Sequence, residues 1–207
     1  MENIPAILLQ AARELEQYYQ VHFPAAASFA RQCFLNTIET TVQERPDGTT
    51  FVITGDIPAM WLRDSSVQVV NYIPYAARDA HVRDILRGTI ATQVKDVCLD
   101  PYANAFNAEA NGAGFQDETE LSPHVWERKY EVDSLCAPIY LAYSYWKATK
   151  DTAIFTDVFE LALDAIYDVF QREQHHENSP YTFQRFNAPE SDTLARDGKG
   201  APVGFTG

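Results

Sequence analysis

The sequence predicts an all-α chain interrupted once by a small β-hairpin near residues 42–54. Three observations carry this. Apolar residues recur at the 3.6-residue spacing of amphipathic helices through most of the 207 residues. Proline or aspartate stands at the head of most of those runs, where a missing N–H or a capping carboxylate suits a first helical turn. Between Val42 and Thr54 the period changes and centres on Pro46-Asp47-Gly48, the composition of a tight turn.

Taken in order, Pro5 opens a first helix with Ile4, Ile7, Leu8, Ala11, Leu15 and Tyr18 in register. Pro24 restarts a second, with Phe29, Cys33, Phe34, Thr37 and Ile38 on one face. After the hairpin, Asp64 is the expected N-cap of a third helix reaching about Pro74, and Asp79 that of a fourth carrying Val82, Ile85, Leu86, Ile90, Val94 and Val97. Residues 98–129 read as a long polar loop containing Asn111-Gly112-Ala113-Gly114, a length that in compact domains usually accompanies function. A fifth helix carries Val132, Leu135, Cys136, Ile139, Tyr143 and Trp146, with Pro138 kinking it or marking its start. Asp151 caps a sixth, with Phe155, Val158, Phe159, Ala162, Ile166, Val169 and Phe170, and 177–207 read as extended loop. Six helices make three αα-hairpins, which can close into a bundle, stack as a solenoid or form part of an α/α toroid. No repeat of fixed period favours the solenoid. In a toroid the loops before the third and fifth helices share a rim.

Sixteen Lys and Arg against twenty-nine Asp and Glu give a net charge of −13, which argues against nucleic acid and anionic membrane surfaces as partners. Eleven Tyr and twelve Phe exclude a disordered chain and suit both an aromatic core and a carbohydrate cleft. Cys33, Cys98 and Cys136 form no C-x-x-C pair, so neither a zinc ribbon nor a disulfide framework is expected. No run reaches membrane-spanning length and Met1-Glu2-Asn3-Ile4-Pro5 has no basic n-region, so a cytoplasmic location is expected.

Two segments concentrate the chemistry. Thr54–Ser66 brings Asp56, Trp61, Arg63 and Asp64 together in a stretch where Gly55 and Pro58 discourage regular structure. Ser122–Ser134 echoes it with Trp126, Glu127 and Arg128 followed by Asp133-Ser134. Indole faces stack on the C–H face of a pyranose, while Asp, Glu and Arg form paired hydrogen bonds to vicinal hydroxyls. The plainer alternative is that Arg63–Asp64 and Arg128–Glu131 are ion pairs tying loops to helices. Glycoside hydrolysis needs two carboxyl groups flanking the bond. The candidates are Asp56, Asp64, Glu118, Glu120, Glu127, Glu131 and Asp133, and their separation is not a property of sequence. His175-His176 lacks further ligands at suitable spacing, so no metal and no cofactor is expected. No G-x-S-x-G elbow occurs, and Gly198-Lys199-Gly200 lacks the rest of a phosphate loop.

At these segments the chain resembles glycoside hydrolase family 125, metal-independent exo-α-1,6-mannosidases with an α/α-toroid fold. The resemblance rests on Thr54–Ser65, on Trp126–Ser134, and on Asp192-Thr193-Leu194 with Gly198–Gly207, and it runs across nearly the whole chain. It implies about half of an (α/α)6 toroid over 1–207, a single partial catalytic domain, and an inverting hydrolase that removes non-reducing terminal mannose. By the same resemblance Arg63 and Asp64 lie against that mannose, with Glu127 and Arg128 nearby, and the partner is a mannose-containing oligosaccharide. The family's catalytic acid lies in an Arg-Pro-Ser-Asp-Asp-like segment and its base further on, and neither has a matching position here. The resemblance therefore assigns sugar-contacting residues and no catalytic pair.

Three functional readings stand at this point. The chain is the N-terminal portion of an exo-α-mannosidase, inactive alone; or a non-catalytic mannose-binding helical module; or a helical interaction protein whose apolar edges meet a missing C-terminal half or a second copy.

Overall fold

The computed structural model describes residues 4–115, 121–175 and 179–181. Helix α1 (Ala6–His22) and helix α2 (Ala27–Thr40) pack on each other across a 3₁₀ turn at Pro24–Ala26. Strands β1 (Val42–Glu44) and β2 (Thr50–Val52) form the expected hairpin, with Val42 opposite Val52 and Glu44 opposite Thr50. Asp47 closes its turn by accepting from the Thr49 N–H at 2.9 Å and the Thr49 hydroxyl at 2.6 Å. Strand β3 (Ala59–Trp61) runs directly into helix α3 (Leu62–Val70), followed by the single turn α4 (Ile73–Ala76). Helix α5 (Ala80–Leu99) starts at Asp79, whose carboxylate accepts from the Val82 N–H.

Helix α5 is the spine. All six apolar residues expected on its face, from Val82 to Val97, are buried, and it packs against β2, α4, α6 (Val132–Thr149) and α7 (Asp157–Glu173). It approaches the hairpin closely because residue 88 has no side chain: a Cβ there would lie 2.8 Å from the Thr50 nitrogen and 2.9 Å from the Gly48 carbonyl oxygen. The buried side chains form one contiguous core that includes Leu8, Leu35, Leu62, Leu86, Phe106, Leu135 and Ile166.

Several expectations are corrected. Asp64 is not the N-cap of α3: Trp61 holds that position in extended conformation, and Asp64 lies in the first turn. The neighbouring strand does the work of a cap, since the Leu62 N–H donates to the Asn104 carbonyl at 3.1 Å. The helix stops at Val70, and Pro74 lies in the first turn of α4 instead of ending α3. Asp151 does not cap the last helix. Thr156 does, accepting from the Phe159 N–H at 3.2 Å, while Asp151 accepts from Ala153 N–H and the Tyr145 hydroxyl. Pro138 lies inside α6 and does not mark its start.

The largest departure is in 98–129. That segment contains β4 (Ala105–Asn107) and β5 (Val125–Glu127), which join β3 in a three-stranded antiparallel sheet ordered β3-β4-β5. Faces were misread in part on four helices. Tyr18 on α1, Phe29 and Cys33 on α2, Cys136 and Tyr143 on α6, and Val158 on α7 with Phe155 just ahead of it are exposed, while Ala12, Leu35, Leu141 and Tyr145 are buried. These helices carry apolar residues on more than one side, so the period does not choose among the sides. No described helix is long and apolar enough to cross a membrane.

Candidate functional site

The small sheet positions the site. Trp61, Ala105 and Glu127 are cross-strand partners, so they share one face with alanine between the indole and the carboxylate. On the opposite face Met60 and Phe106 are fully buried and anchor the sheet to the core. The register shifts at Ala105/Phe106, leaving Trp126 as the extra residue of a bulge, the device that re-aims a side chain. Its ring meets Phe115 edge-on at 6.1 Å, and its Nε1 is buried with no hydrogen-bond partner among the described residues.

Residues 111–115 lie against β5, with the Phe115 N–H donating to the Trp126 carbonyl at 2.8 Å. Gly114 has a φ of +133°, and a Cβ there would lie 2.6 Å from the Trp126 Cα. The glycine in this run is a requirement of close approach.

Asn104 joins the two chemical segments and was not foreseen. Its carbonyl takes the Leu62 N–H, its N–H donates to the Glu127 carbonyl, and its Nδ2 donates to Glu127 Oε2 at 2.8 Å. Its Oδ1 accepts from the Lys129 N–H at 3.2 Å. Both Asn104 and Glu127 are buried. The only sequence signal for this hub is a polar residue directly ahead of Ala105-Phe106, and a turn residue looks the same.

At the heads of α3 and α6 lies the charge cluster. Arg63 Nη1 donates to Asp133 Oδ2 at 2.9 Å and to Glu131 Oε2 at 3.3 Å, and Nη2 stands 3.4 Å from Asp64 Oδ2. Glu131 is 6% exposed and is fixed further by the Ser134 hydroxyl at 2.9 Å. Burial works to lower the Arg63 pKa, but the hydrogen bond to Asp133 and the charges of Glu131, Asp133 and Asp64 outweigh it and raise it. Asp133 was a candidate only as an unranked carboxylate and Glu131 also as a partner of Arg128; the fold gives both to Arg63.

Arg128 and Asp56 lie apart from this cluster. Arg128 Nε donates to Asp100 Oδ2 at 2.6 Å, with its guanidinium 5.3 and 5.2 Å from the ring centres of Tyr102 and Tyr181. Those rings stack at 4.7 Å, and the Tyr181 hydroxyl accepts from the Tyr130 N–H at 2.8 Å. In place of the alternative Arg128–Glu131 ion pair the structure has Arg128–Asp100. Asp56 is exposed, on the segment entering the Ala59 end of β3, and no ion pair links it to Arg63. Glu118, Glu120, His176 and the motif residues of the tail, including Asp192–Leu194 and Gly198–Gly207, lie outside the described residues. Among the described residues no group of three or more His, Cys, Asp or Glu has the arrangement to hold a metal ion.

Residues 24–207 match the family described as metal-independent alpha-mannosidase (GH125). The chain belongs to glycoside hydrolase family 125. Among the proteins it resembles is the meiotically up-regulated gene 157 protein of Schizosaccharomyces pombe, 33% identical over 199 residues that cover 86% of this chain and 39% of that protein. Among solved structures it resembles a metal-independent α-mannosidase of Streptococcus pneumoniae in a non-productive substrate complex with α-1,6-mannobiose. That likeness has a TM-score of 0.88 and 42% identity, over 95% of this chain and 46% of the streptococcal one. The chain thus spans less than half the length of either relative. The fold is about half of a family 125 α/α toroid.

Proposed function

We propose that this chain carries the sugar-holding part of a family 125 exo-α-1,6-mannosidase acting on non-reducing terminal mannose, as in N-glycan breakdown. One observation carries the reading: Arg63, at the mouth of α3, is fixed by carboxylates from both chemical segments and stays 39% exposed. A guanidinium and carboxylates held at set spacing suit vicinal hydroxyls, each of which both donates and accepts. In this reading Arg63 and Asp64 contact the mannose, Glu127 lines the floor on Asn104, and Trp61 and Trp126 offer ring faces. Arg128 shapes the wall through Asp100 and the tyrosines. Asp56 acts from the rim of the loop.

Residues 1–207 form one part of a catalytic domain, and the catalytic acid and base are assigned to none of the described residues. Exposed Tyr140 on α6, Leu161 and Tyr167 on α7, and Val21, Phe23 and Phe29 in the α1–α2 hairpin are apolar surface for the rest of a toroid or for a second copy. A cytoplasmic location is part of this reading.

Titration calorimetry with α-1,6-mannobiose tests it. The expected result is saturable binding, lost in Arg63→Ala, with no release of mannose by the 207-residue chain. Absence of binding at millimolar sugar rejects the reading. Metal-independent turnover that disappears on changing Asp64 or Glu127 would move catalysis into this chain.

A further inference from the structure

We infer that this site is built to accept neutral sugars and to refuse anionic ones, and that Glu131 and Asp133 are the residues that set this preference. The inference rests on the mannose reading above and narrows its substrate class. An arginine in a sugar site is ordinarily the group that would welcome a ligand carboxylate or phosphate, because its fork matches two anionic oxygens. Here one arm of that fork is taken and a carboxylate stands beside the other. Asp133 and Glu131 share Nη1, and Asp64 faces Nη2.

Three carboxylates around one guanidinium leave an excess of two negative charges at the cluster. Glu127, on β5 and tied through Asn104 to the start of α3, is a further carboxylate of the site. The cluster is also rich in acceptors. Asp64 Oδ2 and Asp133 Oδ1 are buried without a hydrogen bond among the described residues. A neutral polyol brings O–H donors to such a place, whereas an anionic ligand brings more acceptors and a like charge. Glu131 cannot swing aside to free the arginine, since it is buried and held by Ser134. Removing one of the two carboxylates halves that excess and frees part of the Arg63 fork, so it should weaken the refusal of anions. A merely structural role for Glu131 or Asp133 predicts lost binding of every ligand and no gain of any.

The test compares mannuronamide with mannuronate, which differ in charge and hardly in size, on the full chain at constant ionic strength. The expected result is at least about tenfold tighter binding of the amide, equivalent to about 1.4 kcal/mol. That gap should shrink or reverse in Asp133→Asn, with Glu131→Gln as the second variant, each checked for folding by thermal unfolding. Equal or tighter binding of mannuronate by the unaltered chain overturns the inference, as does an unchanged gap in both folded variants. Should neither sugar bind, the mannose reading fails, and the clamp is judged separately by nitrogen NMR of the Arg63 guanidinium during titration with inorganic phosphate. A signal that ignores phosphate in the unaltered chain and responds in Asp133→Asn supports the clamp. A signal that responds in the unaltered chain sinks it.

Discussion

Arg63 Nη1 reaches Asp133 Oδ2 at 2.9 Å across seventy positions of the chain, joining the first turn of α3 to the first turn of α6. The partners of this contact are not equivalent. Asp133 is about one-third exposed, so solvent replaces much of what it loses, whereas Glu131 beside it is buried.

Arg63→Ala should therefore cost more than its surface position suggests. It leaves Glu131 buried without its cation, a loss of about 2–3 kcal/mol. Asp133→Ala should cost about 1 kcal/mol or less. Urea unfolding of the two variants checks the order, and an equal or reversed ranking would show that Glu131 does not depend on Arg63.

Asn104→Ala removes the side-chain bond to Glu127 and the acceptor of the Lys129 N–H together. Both groups sit where water does not replace the missing partner easily, so a loss of about 2–4 kcal/mol is expected. Sugar affinity should fall with it, because β4 is what holds Trp61 and Glu127 on one face. Thermal unfolding with calorimetry on the folded fraction measures both, and a variant as stable as the parent would remove Asn104 from its place as a hub.

Asp96 gives a pH dependence of defined sign. Its Oδ2 is buried without a hydrogen-bond partner, and burial raises its carboxyl to about 8 against the opposing charges of Arg45 and Lys95. The unfolded chain gives up this proton near pH 4, as an ordinary aspartate does. Between those values the folded state binds more protons than the unfolded one, so this group's contribution to stability falls as pH rises and levels off above about 8. Asp96→Asn should match the parent below pH 4 and exceed it by roughly 2–4 kcal/mol near pH 8.5. Parallel stability–pH curves for the two proteins would contradict this.

Gly88→Ala sets helix propensity against packing. In an isolated helix the change stabilises by about 1 kcal/mol. Here the new methyl meets the Thr50 hydroxyl and backbone nitrogen and the Gly48 carbonyl, and the backbone of a hairpin turn yields little. A net loss of about 1–3 kcal/mol is expected, with the β1–β2 hairpin pushed off α5. Hydrogen exchange of the Thr50 and Val52 amides reports it, and a stabilised variant would mean that the hairpin moves freely.

The six α5 positions from Val82 to Val97 were read correctly because the large apolar residues of that helix fall in one phase, although burial also reaches its small and polar residues Gly88, Thr89, Thr92 and Gln93. Reading failed on α6, where Tyr140 and Tyr143 leave apolar residues all round and periodicity has no single phase to find. It also failed at β4 and β5. A three-residue strand spans too few side chains to alternate visibly, and the partner that makes each one a strand is remote in sequence.

Sequence alone determined the helical class, the hairpin at 42–54, the family, and the two segments where chemistry is concentrated, because each is written in neighbouring residues. What it could not decide is which charges meet. Arg63 was paired in prospect with Asp64 and Arg128 with Glu131, both close in the chain. The fold keeps Asp64 beside Arg63, adds Glu131 and Asp133 to it, and turns Arg128 to Asp100. Ionic contacts fall off with distance in space, and only the packing of α3 against α6 sets that distance.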